Sequence, residues 1–273
     1  MINFEFQDHY TFEDLRRIVA ILRHPGGCPW DREQTHESLR RCTLEETCEV
    51  LEAIDRKDDA LLCEELGDLL LQVVFHASLA EDGGRFTLDD VADGICKKMI
   101  YRHPHVFGTA QADTSEQVLQ NWDVLKRAEK GQTNDTDTLR AVARTLPALW
   151  RAEKIQKKAA KAGVTVPDTA AAADELSAAL EAFRRAEAEG RGVRQALGEV
   201  LFAAVAAARL AGEDPEEVLN EASDAYIARF ALAEQEAARQ GRALSDLAPE
   251  ETVRIWKQTE QQQDVRQEEN RHE

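Results

Sequence analysis

The chain has 273 residues, of which 43% are hydrophobic and 32% charged, and its formal net charge is −18. That is enough apolar material for one large domain or two of ordinary size. The acidic balance disfavours non-specific binding to nucleic acid or to an anionic membrane surface, and no run of about 18 apolar residues offers a membrane span.

The N-terminus, MINFEFQDHY, lacks the basic start and apolar stretch of a secretory signal, so the protein is expected to be cytoplasmic. From Phe12 to Leu22 the apolar residues fit one helix face. RHPGGCPWDREQT then reads as a loop, punctuated by Pro25, Gly26, Gly27 and Pro29. A helix follows, from about Thr35 or from a new start at Thr43, to Asp55. Thr43 with Glu46 three residues on matches a capping box, one possible role for Glu46. RKDD is a short turn. The next helix runs from about Ala60 to Ala80 and is ended by Gly83-Gly84. Thr87 caps another, about Leu88 to Arg102, which Pro104 ends. SEQVLQNWDVLKRAEK is a further helix. Strand patterns are nearly absent, so the chain is expected to be all-α. The five cysteines form no CxxC pair and read as thiols packed as small apolar groups.

KGQTNDTDT, from Lys130 to Thr138, has no apolar residue and reads as a linker. Beyond it a second helical set echoes the first. LGDLLLQVVFHASLA from Leu66 lines up with LGEVLFAAVAAARLA from Leu197, LEE at Leu44 with ADE at Ala173, and NWDVLK at Asn121 with IWKQTE at Ile255. The order is kept at a nearly constant offset. The expected organisation is a first repeat over 1–129, a linker over 130–139, a second repeat over 140–260, and a polar, disordered tail over 261–273.

Two helices of the first repeat carry clustered acids: Glu45, Glu46, Glu49 and Glu52, then Glu64, Glu65 and Asp68. Residues three and four apart share a helix face, where like charges repel. Acids at the rim of two apolar stripes can meet across a helical hairpin, and a hard divalent cation would remove the repulsion. Oxygen-only ligands suit Mg2+ or Mn2+ rather than zinc. The competing reading is a solvated acidic face on each helix. A di-iron bundle wants Glu-x-x-His, which neither helix has. His76, on an otherwise apolar run, reads as a satisfied core histidine.

Mg2+ on carboxylates keeps positions open for water and substrate phosphate, so an acidic protein can take a polyphosphate this way. Lys98 and Arg102 are four apart on one face, and Lys126 lies four past Trp122. Trp122 and Trp30 offer rings for a base. The alternatives are helix-end charges for the cations and core packing for the tryptophans.

GGCPWDREQT, TLEETCEVLEAI, EELGDLLLQVVFHA, KMIYRHPHVF and WDVLK, in this order, with LPALWRAEKIQKKAA as a bridge, resemble the MazG family of tandem-repeat nucleoside triphosphate pyrophosphohydrolases. The resemblance spans nearly the whole chain. It implies two tandem helical-bundle repeats completed by homodimerisation. The implied reaction is Mg2+-dependent hydrolysis of a nucleoside triphosphate to monophosphate and diphosphate. By the same resemblance the metal ligands fall on Glu46, Glu49, Glu65 and Asp68. Glu45, Glu49, Lys98 and Arg102 are the catalytic candidates, and Lys98, Arg102, Trp122, Lys126 and Trp30 the substrate-binding ones. The second repeat departs from this pattern. It has Asp174, Glu175 and Ala178 for Glu45, Glu46 and Glu49; Gln195, Ala196 and Glu199 for Glu64, Glu65 and Asp68; and Ala225 and Glu260 for Lys98 and Lys126. Arg229 and Trp256 keep Arg102 and Trp122. The second repeat is thus expected to be structural or dimerising. The rival readings are a non-catalytic nucleotide-sensing or partner-binding module, and a related enzyme acting on dUTP or phosphoribosyl-ATP.

Overall fold

The computed structural model describes residues 4–270, and among these all regular structure is helical. The chain divides into two compact units between Lys126 and Arg127.

In the first unit, α1 (Phe12–Arg23) is closed at its start by a reciprocal capping box between Thr11 and Asp14. The stretch read as loop contains a short helix, α2 (Pro29–Glu33), with Pro29 in its first turn. A proline there forfeits an N–H that has no helical partner anyway. α3 (Arg40–Arg56) and α4 (Asp59–Asp82) form a hairpin. Lys57 closes α3 in the left-handed region at φ 55°, and the Asp58 carboxylate caps α4 by accepting from the N–H groups of Ala60 and Leu61 at 3.0 and 3.1 Å. Asp58→Ala is expected to cost about 1 kcal/mol, the usual worth of such a cap, read as a lower urea midpoint. α5 (Leu88–Arg102) has the Thr87 cap expected of it. α6 (Pro104–Phe107) and α7 (Ser115–Glu129) follow. The core is Val19, Leu39, Val74, Phe75, Ala77 and Leu88, with Leu15, Leu71 and Leu79 packed on it. α1 and α5 both lie against α4, so the second acidic helix is held on two sides.

The capping-box reading of Thr43 and Glu46 does not survive. α3 begins at Arg40, its N-cap is Leu39, and Thr43 sits inside the helix with its hydroxyl on the Leu39 carbonyl at 3.1 Å. Glu46 is therefore free of a capping role.

In the second unit, α8 (Asp135–Arg140) occupies part of the segment read as linker, capped by Asn134 on the N–H of Asp137 at 2.9 Å. α9 (Ala148–Lys161), α10 (Thr169–Glu189), α11 (Val193–Ala211), α12 (Pro215–Arg239) and α13 (Pro249–Asn270) complete it. α10 and α11 form a second hairpin, and α9 lies against α11 and α12. The buried Gln156 of α9 donates to the Phe202 carbonyl at 2.8 Å, and the Trp150 indole N–H donates to Asp214 at 2.8 Å. A small core of Ala233, Ala237, Leu247 and Ile255 joins α12 to α13. The backbone of α13 stays helical to Asn270, where composition pointed to a disordered tail. Residues 271–273 of that tail lie outside the described residues. No single helix among the described residues is long and apolar enough to cross a membrane.

Candidate metal centre

The hairpin of α3 and α4 brings three of the predicted carboxylates together. Glu46 and Glu49 from α3 and Glu65 from α4 each place an oxygen within 4.8 Å of the others. The helix period explains the α3 pair, since residues three apart share a face. Only the packing of the hairpin supplies Glu65. Glu46 and Glu65 are half-buried, while Glu49 is exposed at the edge of the cluster.

Carboxylates this close repel one another when ionised. Partial burial, then the charges of Asp68 and Glu49, then a hydrogen bond with Glu49, hold the Glu46 carboxyl above the ordinary value of 4.5. Glu65 is raised likewise, by burial first and then by Glu49, Glu64, Asp68 and Glu52. A divalent cation relieves the mutual repulsion, because it is attracted by all three groups at once. Hard oxygen donors with an exposed edge fit Mg2+ or Mn2+, which retain water in their coordination shells.

The other predicted residues lie as follows. Asp68 is exposed and outside the group of three, though near enough for its charge to act on Glu46. Glu45 is drawn into an ion pair with Arg41 at 2.8 Å on the exposed side of α3. Lys98 is half-buried on α5. Arg102, one turn on, is only 6% exposed, and its guanidinium lies 5.1 Å from the centre of the Trp122 ring. The His103 ring meets the same indole edge-on at 5.0 Å. Trp122 is thus half-buried among side chains of its own fold, with Lys126 half-buried on the same helix. Trp30 is 58% exposed.

The second unit repeats one of these features. Arg229 stacks over Trp256 at 4.2 Å, donates to its carbonyl at 2.6 Å and pairs with Glu260 at 3.0 Å. Among its described residues the acids do not gather. Glu175 and Glu199 line a cleft of about 660 Å³ with Phe202, Ala203 and Arg209, and Gln195 donates to Glu199 at 3.0 Å. Among the described residues, Glu46, Glu49 and Glu65 are the one group of acids, histidines or cysteines gathered closely enough to hold a metal.

Residues 34–107 match the family model of the MazG nucleotide pyrophosphohydrolase domain. The chain is 37% identical over 245 residues to the nucleoside triphosphate pyrophosphohydrolase/pyrophosphatase MazG of Thermotoga maritima, covering 90% of this chain and 94% of that protein. This chain belongs to the MazG family. It is also 38% identical over 254 residues to the nucleoside triphosphate pyrophosphohydrolase of Escherichia coli, covering 91% and 97% of the two chains. It is 40% identical over 256 residues to the uncharacterized protein YabN of Bacillus subtilis, of which it spans about half, 52%. The segment matched to the MazG domain holds Glu46, Glu49, Glu65, Asp68, Lys98 and Arg102.

Two features had no clear sequence signal. The Arg102–Trp122 stack joins helices whose facing side chains cannot be paired from spacing alone. His76 is half-buried and does have partners, but one of them is a second histidine, His36, from 40 residues away.

Proposed function

We propose that the protein is a Mg2+-dependent nucleoside triphosphate pyrophosphohydrolase that converts an NTP or dNTP and water to the monophosphate and diphosphate at the carboxylates of its first unit. The observation that carries this reading is the convergence of Glu46, Glu49 and Glu65. Such a cluster costs stability unless something positive occupies it. The kinship with pyrophosphohydrolases from Thermotoga maritima and Escherichia coli supplies the reaction class. Asp68, within electrostatic reach, is the fourth carboxylate of the set. Mg2+ held there would supply Lewis-acid polarisation of a phosphoryl oxygen and acidify a bound water.

The chain's own residues then divide the work. Glu49, at the exposed edge, faces the side from which water and substrate enter. Lys98 and Lys126 offset the triphosphate charge. Trp30, exposed on α2, presents a free ring for a base. Arg102 and Trp122 are assigned to the fold: the same stack recurs as Arg229 and Trp256 in a unit whose described acids form no such cluster. Glu45 pairs with Arg41 on the exposed side of α3, outside the group of three. The second unit acts as a scaffold. Leu44, Leu51, Ile54, Leu66, Leu70 and Val73, each 39–56% exposed on the α3–α4 hairpin, support a homodimer in which a second copy covers this face.

The test is diphosphate release from a mixture of NTPs with Mg2+. Release is expected to stop when EDTA removes the metal and to return on adding Mg2+ or Mn2+, and to be unchanged in Glu199→Ala. Metal-independent release, or loss in Glu199→Ala, would overturn the assignment.

A further inference from the structure

His36, in the turn before α3, and His76, in the middle of α4, lie edge to edge with ring centres 5.1 Å apart and planes 12° from parallel. Their Nδ1 atoms are 2.8 Å apart. Beyond His36, its Nε2 lies 2.8 Å from Nη2 of Arg85, which also reaches the Leu79 carbonyl at 3.3 Å. Beyond His76, its Nε2 lies 3.1 Å from the Thr43 hydroxyl, which in turn lies 3.1 Å from the Leu39 carbonyl.

The donors and acceptors allow one direction only. A guanidinium has no acceptor, so Arg85 donates and Nε2 of His36 is bare. Neutral His36 then carries its hydrogen on Nδ1 and donates to a bare Nδ1 of His76. The His76 hydrogen is therefore on Nε2 and goes to Thr43, whose own hydrogen goes to Leu39. The chain is complete when both rings are neutral. An added proton on either ring sets a donor against a donor.

We propose that His76 is a positioning residue for the carboxylate cluster: the chain from Arg85 through both histidines to Thr43 ties the first turns of α3 to α4 and so sets Glu46 and Glu49 opposite Glu65. Thr43 lies three residues before Glu46, on the same face of α3. By the alignment of the two halves, Thr43 corresponds to Ala172 and His76 to Ala207. The half whose acids do not gather has also lost the His76–Thr43 link of the chain, which ties that link to the site rather than to the helical frame. The inference rests on the metal reading above.

The groups that face His76 are His36, from the turn before α3, and the Thr43 hydroxyl, from α3; Arg85, after α4, stands behind His36. Burial first and then His36 lower the His76 pKa from its ordinary 6.5. The unfolded chain therefore binds the proton more readily. The contribution of neutral His76 is present above pH 6.5 and is lost as pH falls from there through its lowered value.

The experiment uses the full chain and Mn2+ alone, titrated by calorimetry, with melting curves over about pH 5 to 8, where histidine titrates. His76→Phe keeps a ring without the chain, Thr43→Val removes the hydroxyl, and Thr43→Ser keeps it. His76→Phe and Thr43→Val are expected to weaken Mn2+ binding by about 10-fold or more, the size typical of lost outer-sphere support, while Thr43→Ser binds as wild type. The wild-type fall in Tm below pH 6.5 is expected to flatten in His76→Phe. Wild-type Mn2+ affinity in Thr43→Val, or an unaltered pH dependence in His76→Phe, would overturn the proposal. If His76→Phe fails to fold, Thr43→Val decides alone. A wild type that takes up no Mn2+ would defeat the metal reading instead, and the melting curves would still decide whether the chain exists.

Discussion

Glu46→Gln is expected to lower diphosphate release by about 10²-fold or more, the scale of losing preorganised electrostatic stabilisation, and at the same time to raise the Tm of the metal-free protein. The two effects have one cause. In the metal-free fold the Glu46 carboxyl is raised by burial and by its neighbours Asp68, Glu49 and Glu65. A carboxyl with a raised folded-state pKa binds protons more readily folded than unfolded. Its effect on folding is therefore most favourable at low pH and is lost as pH rises through the raised value. At neutral pH the charge destabilises, and the isosteric amide removes it. Glu65, raised in the same sense, behaves alike. Protons thus compete with the cation from above the ordinary carboxylate range, and added Mg2+ is expected to move the acid limb of the pH–rate profile downward. The check is a pair of measurements on one variant. Loss of activity with a lower metal-free Tm would mean that Glu46 is a structural residue and that no cation site lies there.

Arg102→Ala is expected to cost about 2 kcal/mol or more, the worth of a desolvated cation–π contact, together with the packing of the buried side chain. Arg102 is buried at the end of α5 and spans to Trp122 on α7. Its loss loosens the join between these helices without removing a carboxylate. Arg229→Ala is expected to do the same to the second unit, where the guanidinium also holds the Trp256 carbonyl and Glu260. Denaturant unfolding reads the loss. Activity of the folded fraction, assayed well below the new midpoint, is expected to stay near wild type for both. A large fall in turnover at unchanged stability for Arg102→Ala would return Arg102 to the substrate.

The helices themselves were largely legible. α1, α4 and α5 follow from apolar spacing, with local signals at two of their ends: Thr87 before α5 and a glycine pair after α4. Such signals act over one or two turns, so a short window of sequence contains them. The same locality explains the errors. Thr43 and Glu46 have the spacing of a cap, yet the helix begins three residues earlier, because His76 from α4 engages the Thr43 hydroxyl and Leu39 is buried in the core. The short α2 and α8 sit in stretches whose prolines, glycines and polar residues read as loop and linker.

By itself the sequence determined an all-α protein, two acid-bearing helices in its first half, and the erosion of those acids in its second. These properties rest on residue identity and on a period of 3.6 residues. Tertiary structure alone decided which acids meet. It set Glu46 and Glu49 against Glu65 and left Asp68 at the margin. It also buried Arg102 under Trp122 and joined His36 to His76. The physical reason is common to all of these. Helical spacing says which side chains share a face, but how two faces are turned toward each other depends on the packing of cores far apart in sequence, and hydrogen bonds and repulsion depend on the distances that packing sets.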